Sequence, residues 1–179
     1  YDAQAAGPQK ARRLFAYNVG FFTQRRIRRI LELSGYTLRM GRPKQGDTVA
    51  GWENSPTAHR GFAVADTYGA SLVRVEDAFL RSLFPGRSGQ PPQGLLIDRK
   101  GVHFDPTVPS ELEDLLAHHP LDDTALLNRA RGCIAWLEEA HLSKYAAVRT
   151  DIPAPAPGYV LVIDQTQGDA SVTASGADR

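Results

Sequence analysis

The chain has a single cysteine, Cys133, so no internal disulfide framework holds it together and a reducing compartment is expected. No apolar run approaches the roughly 20 residues needed to cross a bilayer, and no secretory signal is visible. Charge of neither sign dominates: the formal net charge is +1, which gives no overall pull toward nucleic acid or membrane. Metal-ligand spacings such as H-x-x-x-H and C-x-x-C are missing, and no metal is expected. The adjacent His118 and His119 have poor geometry for sharing an ion. Pro120 behind them points instead to a helix C-terminus, where a histidine suits the helix dipole. Also missing are G-x-G-x-x-G and the Walker-type loop, so dinucleotide and triphosphate cradling are unsupported. There is no starting Met, and the chain stops soon after a fresh strand begins. Both ends read as cuts in a longer protein, of which this piece alone is expected to be inactive.

What is present is globular. The 179 residues are 42% hydrophobic and 23% charged, enough for one full domain and a remnant. After a loosely ordered start through Arg12, Leu14–Val19 reads as a strand and Phe21–Ser34 as a helix stopped by Gly35. A short strand around Leu38 and Met40 follows, then the apolar stretch Asp47–Trp52. Asn54 or Ser55 is placed to cap a helix through about Tyr68, and Ser71–Val75 is a β-branched strand. Leu95–Asp98 and Val102–Asp105 flank Arg99-Lys100-Gly101 like the arms of a hairpin. Ser110 and Glu113 form a capping box for a helix through Leu116. Asp122 caps a longer helix to about Ala140, with Leu126, Leu127, Ala130, Ile134 and Leu137 at helical spacing and Cys133 among core positions.

Residues 151–157, alternating proline with small residues, form a stiff linker and the clearest boundary in the chain. It separates a domain over 13–150 from a second one opening at 158–179, where Gly158–Asp164 reads as a buried strand. Strands alternating with helices indicate an open α/β sheet, and the linker suggests two such bodies facing a cleft. That architecture suits glycosyltransferases, binding proteins and dehydrogenases alike.

Chemistry concentrates at two places. Glu76 and Asp77 sit at the carboxyl end of the 71–75 strand, where α/β sheets face their ligand crevice, and apolar neighbours would suit a carboxylic acid to acid–base work. The plainer alternative is that one carboxylate caps the next turn while the other pairs with Arg74 or Arg81. Asp169 opens a helix after the strand ending at Asp164, where the helix dipole favours an ionised carboxylate. It could attack an oxocarbenium-like centre, or simply act as an N-cap. Asp164, at its strand end, can simply hold the turn. Arg25, Arg26, Arg28 and Arg29 could contact phosphates or lipid headgroups, although such runs are more often solvated helix faces.

Four strings taken together resemble one family. Val73 to Ser82 (V-R-V-E-D-A-F-L-R-S) is similar to the V-E-D-G-F-L-R-S signature of the KpsC-type capsular polysaccharide β-Kdo transferases. Gly89 to Asp98 resembles their G-E-P-P-L-S-L segment, Leu142 to Tyr145 their L-S-K-Y element, and Val160 to Val172 their V-L-V-x-D-Q-T-x-x-D-x-S-V run. The resemblance extends from about Phe15 to the end and is nearest the N-terminal of the family's two transferase modules. It implies a Rossmann-like N-terminal half of a GT-B glycosyltransferase on the acceptor side, plus the first strand and turn of the donor-binding half. It implies retaining transfer of Kdo from CMP-Kdo, without a metal or other cofactor. The acceptor would be phosphatidylglycerol or Kdo-phosphatidylglycerol, in capsule biosynthesis and export. By the same resemblance Asp169 is the nucleophile and Glu76 the general base. Asp77, Arg81, Ser82, Gln165 and Ser171 would bind substrate. The protein would be cytoplasmic, with peripheral contact to the inner membrane and to capsule assembly proteins. One departure stands out: Ala78 replaces the usual glycine. A non-catalytic module binding carbohydrate or lipid headgroups is the alternative reading.

Overall fold

The computed structural model describes residues 11–52, 55–147, 149, 151–153, 155–163, 165 and 169–176. Its centre is a sheet of five strands in the order β2-β1-β3-β4-β5. These are β1 (Arg12–Ala16), β2 (Tyr36–Arg39), β3 (Thr48–Trp52), β4 (Ser71–Asp77) and β5 (Leu95–Asp98). The first four run parallel, and β5 pairs antiparallel with β4, Glu76 opposite Leu96 and Asp77 opposite Leu95. Six helices accompany them among the described residues: α1 (Gly20–Thr23), α2 (Arg25–Leu33), α3 (Ala58–Tyr68), α4 (Glu111–His118), α5 (Thr124–Glu139) and α6 (Ala170–Ala174).

Side-chain alternation along the strands fills both faces, as a sheet covered on two sides requires. One face joins Leu14, Ala16, Ala50, Val73 and Val75 to Phe21 of α1 and to Ile27 and Leu31 of α2. The other joins Phe15 and Val49 to Ala65 of α3, with Leu72 packed alongside. Leu14, Leu31, Val49 and Val75 are completely buried, and each such side chain contributes about 1.5–3 kcal/mol by leaving water. The chain leaves β1 toward one face and β3 toward the other. Their carboxyl ends therefore part, opening the crevice in which α/β sheets bind ligands.

Several expectations are corrected. The helix expected over Phe21–Ser34 is broken at Gln24, whose backbone is extended (φ −83°, ψ 92°). On an unbroken helix Phe21 and Ile27 would point about 120° apart; the break lets both enter the same core. The expected 95–105 hairpin is absent. β5 pairs with β4 instead, and the Asp98 carboxylate accepts from the backbone N–H groups of Lys100 (2.7 Å), Gly101 (3.0 Å) and Glu111 (2.8 Å). Donors tied to that carboxylate turn the chain toward α4 rather than into a returning strand.

The capping box of Ser110 and Glu113 is present as expected and opens α4. Asp123, not Asp122, caps α5 by accepting from Leu126 N–H at 2.9 Å. Ser55 does not cap α3. Thr57 holds that position without a side-chain bond, while the Ser55 hydroxyl accepts from Asn18 at 2.7 Å. The other cap candidate, Asn54, lies outside the described residues, as do most of the expected loose start (1–10) and Asp164.

Cys133 is exposed rather than in a core, because α5 buries none of its residues and Ile134 and Trp136 remain open. No element among the described residues covers its apolar stripe. Tyr159–Ile163, expected as a buried strand, is not a strand, and its apolar side chains are exposed. A strand of an α/β sheet needs a hydrogen-bonded neighbour, and none of the described residues pairs with this segment. Among the described residues no helix is long and apolar enough to cross a membrane.

Candidate functional site

The crevice is floored by the end of β4. Strand alternation continues through Asp77, so Glu76 and Asp77 leave the sheet on opposite faces. Asp77 follows Val73 and Val75 toward α1 and α2, and Glu76 follows Leu72 toward the α3 side. Glu76 is buried, and its Oε2 accepts from the Asp77 backbone N–H at 3.4 Å. The two carboxylates thus work in different surroundings, although the sequence places them side by side.

Arg81 organises the Asp77 side. It is buried, and its Nε donates to Asp77 Oδ2 at 2.5 Å. Nη1 donates to Ser82 Oγ at 2.8 Å and to the Gln90 carbonyl at 2.9 Å. The Arg81 backbone carbonyl accepts from Gln93 N–H at 2.7 Å, and its own N–H donates to the Lys144 carbonyl at 3.1 Å. Ser82 and Tyr145 form a parallel bridge, and Ala146 and Ala147 donate to the carbonyls of Ser82 and Leu83. Three of the four strings that carry the family resemblance are therefore bonded into one body around Arg81, through its guanidinium and its backbone.

The turn Gly86–Ser88 approaches so closely that a Cβ on Gly86 would lie 2.5 Å from Arg81 Nη2. Ala78, the departure from the usual glycine, is accommodated where Gly94 offers no side chain. A Cβ on Gly94 would meet the Ala78 methyl at 3.2 Å. The loop keeps its hydrogen bond from Ala78 N–H to the Gly94 carbonyl at 3.4 Å.

Arg81 borders three cavities, of which two bear on the Asp77 side. One of about 310 Å³ lies at the divergent ends of β1, β3 and β4, with Asn18, Gln24, Trp52, Ser55 and Asp77 among its walls. The other, of about 790 Å³, lies between α2 and the 86–91 loop and is lined by Arg25, Arg26 and Arg29 together with Arg81. The arginine run read from the sequence is therefore only partly a solvated face. Arg28 and Arg29 lean on Glu32, at 2.8 and 3.9 Å, while Arg25, Arg26 and Arg29 turn to this cavity. Asn18, Gln24 and Ser55 were not foreseen as site residues. Their only signal in the sequence is position, just after two strands of a parallel sheet.

The fourth string lies at α6. Asp169 is its N-cap: Oδ1 accepts from the Ser171 N–H at 2.9 Å and from the Ser171 hydroxyl at 2.6 Å. Asp169 and Gln165 are exposed and Ser171 is half-buried. Among the described residues neither Asp169 nor Glu76 lines either of these two cavities. Beyond the cavities, His103 packs on Phe79 with ring centroids 5.0 Å apart. Burial, and then the Lys144 ammonium, hold its pKa below the usual value. No group of three or more potential metal ligands occurs among the described residues.

A family model described as "Capsule polysaccharide biosynthesis protein" matches residues 47–179. The capsule polysaccharide modification protein LipA of Neisseria meningitidis serogroup A is 35% identical over 167 residues, covering 88% of this chain and 24% of LipA. The lipopolysaccharide-processing protein LpsZ of Rhizobium meliloti is 40% identical over 114 residues, covering 60% of this chain and 26% of LpsZ. Among solved structures, Thermosulfurimonas dismutans KpsC, beta Kdo 2,4 transferase, is 26% identical with a TM-score of 0.74, over 94% of this chain and 53% of that one. The beta Kdo 2,7 transferase of the same organism shares the fold, at 22% identity and a TM-score of 0.60. The chain thus spans about a quarter of these curated relatives and about half of the solved structures. The α/β body of a GT-B glycosyltransferase, expected from the resemblance, is the fold observed.

Proposed function

The chain belongs to the capsule polysaccharide biosynthesis protein family, and from that premise we propose that it forms the acceptor-side half, and the opening of the donor-side half, of a retaining β-Kdo transferase. The observation that carries this reading is the 26% identical match to a beta Kdo 2,4 transferase over 94% of the chain. The convergence of three family-like strings on Arg81 supports it, because those strings assemble into a single wall of the crevice.

In this reading CMP-Kdo is the donor and phosphatidylglycerol, or its Kdo derivative, the acceptor. The Asp169 carboxylate attacks the anomeric carbon of Kdo, the bond to the phosphate breaks, and CMP leaves with that electron pair. An acceptor hydroxyl, losing its proton to Glu76, then attacks the same carbon and releases Asp169. Two inversions give net retention. The N-cap position suits Asp169, since helix N–H groups favour its ionised form. Glu76 is held at the carboxyl end of β4, on the face opposite Asp77. Asp77 and Arg81 shape the acceptor wall, Ser82 keeps the Arg81 fork in place, and Gln165 and Ser171 flank the nucleophile. No metal or other cofactor takes part. Contact with the inner membrane and with capsule assembly proteins would be peripheral and on the cytoplasmic side.

The complete protein incubated with CMP-Kdo and acceptor should release CMP and yield a Kdo-extended product, seen by mass spectrometry. Asp169→Ala should abolish both while leaving thermal unfolding unchanged. Normal turnover by that variant removes Asp169 from the mechanism, and failure of the wild type to release CMP favours a binding module instead.

A further inference from the structure

Among the described residues α5 is the longest helix, about 24 Å at 1.5 Å per residue, yet it buries none of its side chains. At 100° per residue, Leu126, Ala130, Cys133, Ile134 and Leu137 fall within about 100° of arc and make an apolar stripe. Leu137 is half-buried, and Leu126 and Ile134 are exposed. A free helix of this length is marginal in water, and a glycine in its interior costs roughly 1 kcal/mol more than alanine. Gly132 is such a glycine, and a Cβ added to it would meet nothing within 4 Å. The helix therefore calls for a body packed along its stripe.

The charges at its ends narrow what that body can be. Asp122 and Asp123 stand at the N-terminus and Glu138 and Glu139 at the C-terminus, with Arg129 and Arg131 between them. A second copy of α5 laid along the stripe would bring acids onto acids, whether parallel or antiparallel, and like charges oppose such a pair. An anionic lipid surface would meet a helix whose acids outnumber its bases, the wrong sign for attraction.

The chain itself supplies a better occupant. The end of α5 is tied back by the Leu142 N–H, which donates to the Leu137 carbonyl at 2.9 Å. Two residues on, the Lys144 carbonyl accepts from the N–H groups of Arg81 and Ser82, at 3.1 and 3.3 Å. The chain then reaches the exposed Tyr159 nineteen residues after Ala140. The matching beta Kdo 2,4 transferase is about twice as long, since this chain covers 53% of it. A short tether holds a second body at about millimolar effective concentration, so a modest apolar contact suffices to seat it.

We infer that the α5 stripe is the seat of the donor-side half of this same chain. That half packs an apolar face on Leu126, Ala130, Ile134 and Leu137 and sets basic groups against the acids at the two ends. Because α5 is tied to the wall at Arg81, a body seated there is also held in register with the end of β4. The inference rests on reading 158–176 as the opening of that half, but not on the reaction. Its test reads burial rather than transfer, so the two can fail separately.

The test is hydrogen exchange followed by mass spectrometry on the complete protein, without donor or acceptor. In the wild type the α5 amides should exchange about a hundredfold or more slower than unstructured chain, equally at low and high protein concentration. Ile134→Asp, on the stripe, should release that protection and speed exchange at a peptide of the donor-side half as well. The milder Ile134→Ala should give the same pattern at smaller amplitude. Ala135→Asp carries the same charge outside the stripe and should leave both regions as in the wild type. An unprotected α5 in the wild type overturns the inference. Protection that grows with protein concentration assigns the stripe to a second copy and overturns it too, as does protection that appears only with phosphatidylglycerol vesicles. So do effects of the Ile134 variants that stay confined to α5, or that Ala135→Asp reproduces.

Discussion

Arg81 donates through Nε to Asp77 Oδ2 at 2.5 Å, from a side chain only 9% exposed. The same guanidinium bonds Ser82 Oγ and the Gln90 carbonyl. A planar fork can serve such partners together, and a lysine ammonium cannot reproduce its geometry. Arg81→Lys should therefore lower stability measurably in urea unfolding. Arg81→Met, which strands the Asp77 charge, should cost about 3–5 kcal/mol. Pairing it with Asp77→Asn should recover part of that loss in a double-mutant cycle. Strictly additive losses would show that the two residues do not depend on each other.

Gly86 is the second part of the same arrangement. Its Cα faces the guanidinium, and an added Cβ would stand 2.9 Å from Arg81 Cζ and 2.5 Å from Nη2. Arg81 is tethered through Nε and Nη1, which limits its freedom to retreat. Gly86→Ala should destabilise by about 1–3 kcal/mol, as overpacking does elsewhere. In an Arg81→Met background the penalty should shrink. An unchanged melting temperature for Gly86→Ala alone would show that the loop simply moves aside.

How much of this could be read in the sequence depends on the range of the interaction. The Ser110–Glu113 capping box is written within four consecutive residues and appears where expected. The strand was legible over Ser71–Val75 from its β-branched run, although β4 continues through Glu76 and Asp77, and one plain alternative for these acids, the pair with Arg81, is what forms. Opposite faces for Glu76 and Asp77 follow only once the strand is known to continue through both residues. The break at Gln24 was not legible, because the periodicity of Phe22, Ile27, Ile30 and Leu31 fits a continuous helix. The demand that Phe21 and Ile27 share one core comes from the sheet. The false hairpin had the same cause: Arg99-Lys100-Gly101 looks like a turn, and only the distant Glu111 N–H reveals that Asp98 holds it for another purpose. The arginine cavity needed the 86–91 loop, some sixty residues downstream of α2, to close its other side.

His103, packed between Phe79 and Phe104, gives stability a dependence on pH. Burial first, and then Lys144, depress its pKa below the ordinary 6.5. The unfolded chain therefore takes up a proton near that value while the folded chain does not. By linkage, stability from this residue is present above 6.5 and falls as the pH drops toward the depressed native value. Urea unfolding midpoints followed from neutral to mildly acidic pH should decline in the wild type. The decline should be shallower in His103→Phe, which preserves packing against Phe79 and Phe104. Identical slopes for the two proteins would assign the acid sensitivity to other groups.

The capping box offers a pH dependence at the opposite end of the sheet. Ser110 is fully buried; its N–H donates to Glu113 Oε2 at 2.6 Å and its hydroxyl to the same oxygen at 2.9 Å. The Glu113 N–H returns a bond to Ser110 Oγ at 3.2 Å. The bonds from Ser110 hold the Glu113 carboxyl below its ordinary 4.5. A depressed carboxylate contributes stability that is complete above its unfolded value and is lost as the pH falls through its native one. Ser110→Ala removes the acceptor of the N3 donor and should cost about 0.5–2 kcal/mol at neutral pH. Glu113→Gln keeps an acceptor for the Ser110 N–H but no titrating group, so it should flatten the acid limb of stability while changing the neutral value less. Because α4 also supplies the Glu111 N–H that fixes Asp98, loosening this cap should expose the amides of Lys100 and Gly101 to faster hydrogen exchange. Exchange at those two amides unaltered in Ser110→Ala would mean that the turn after β5 stands without the helix.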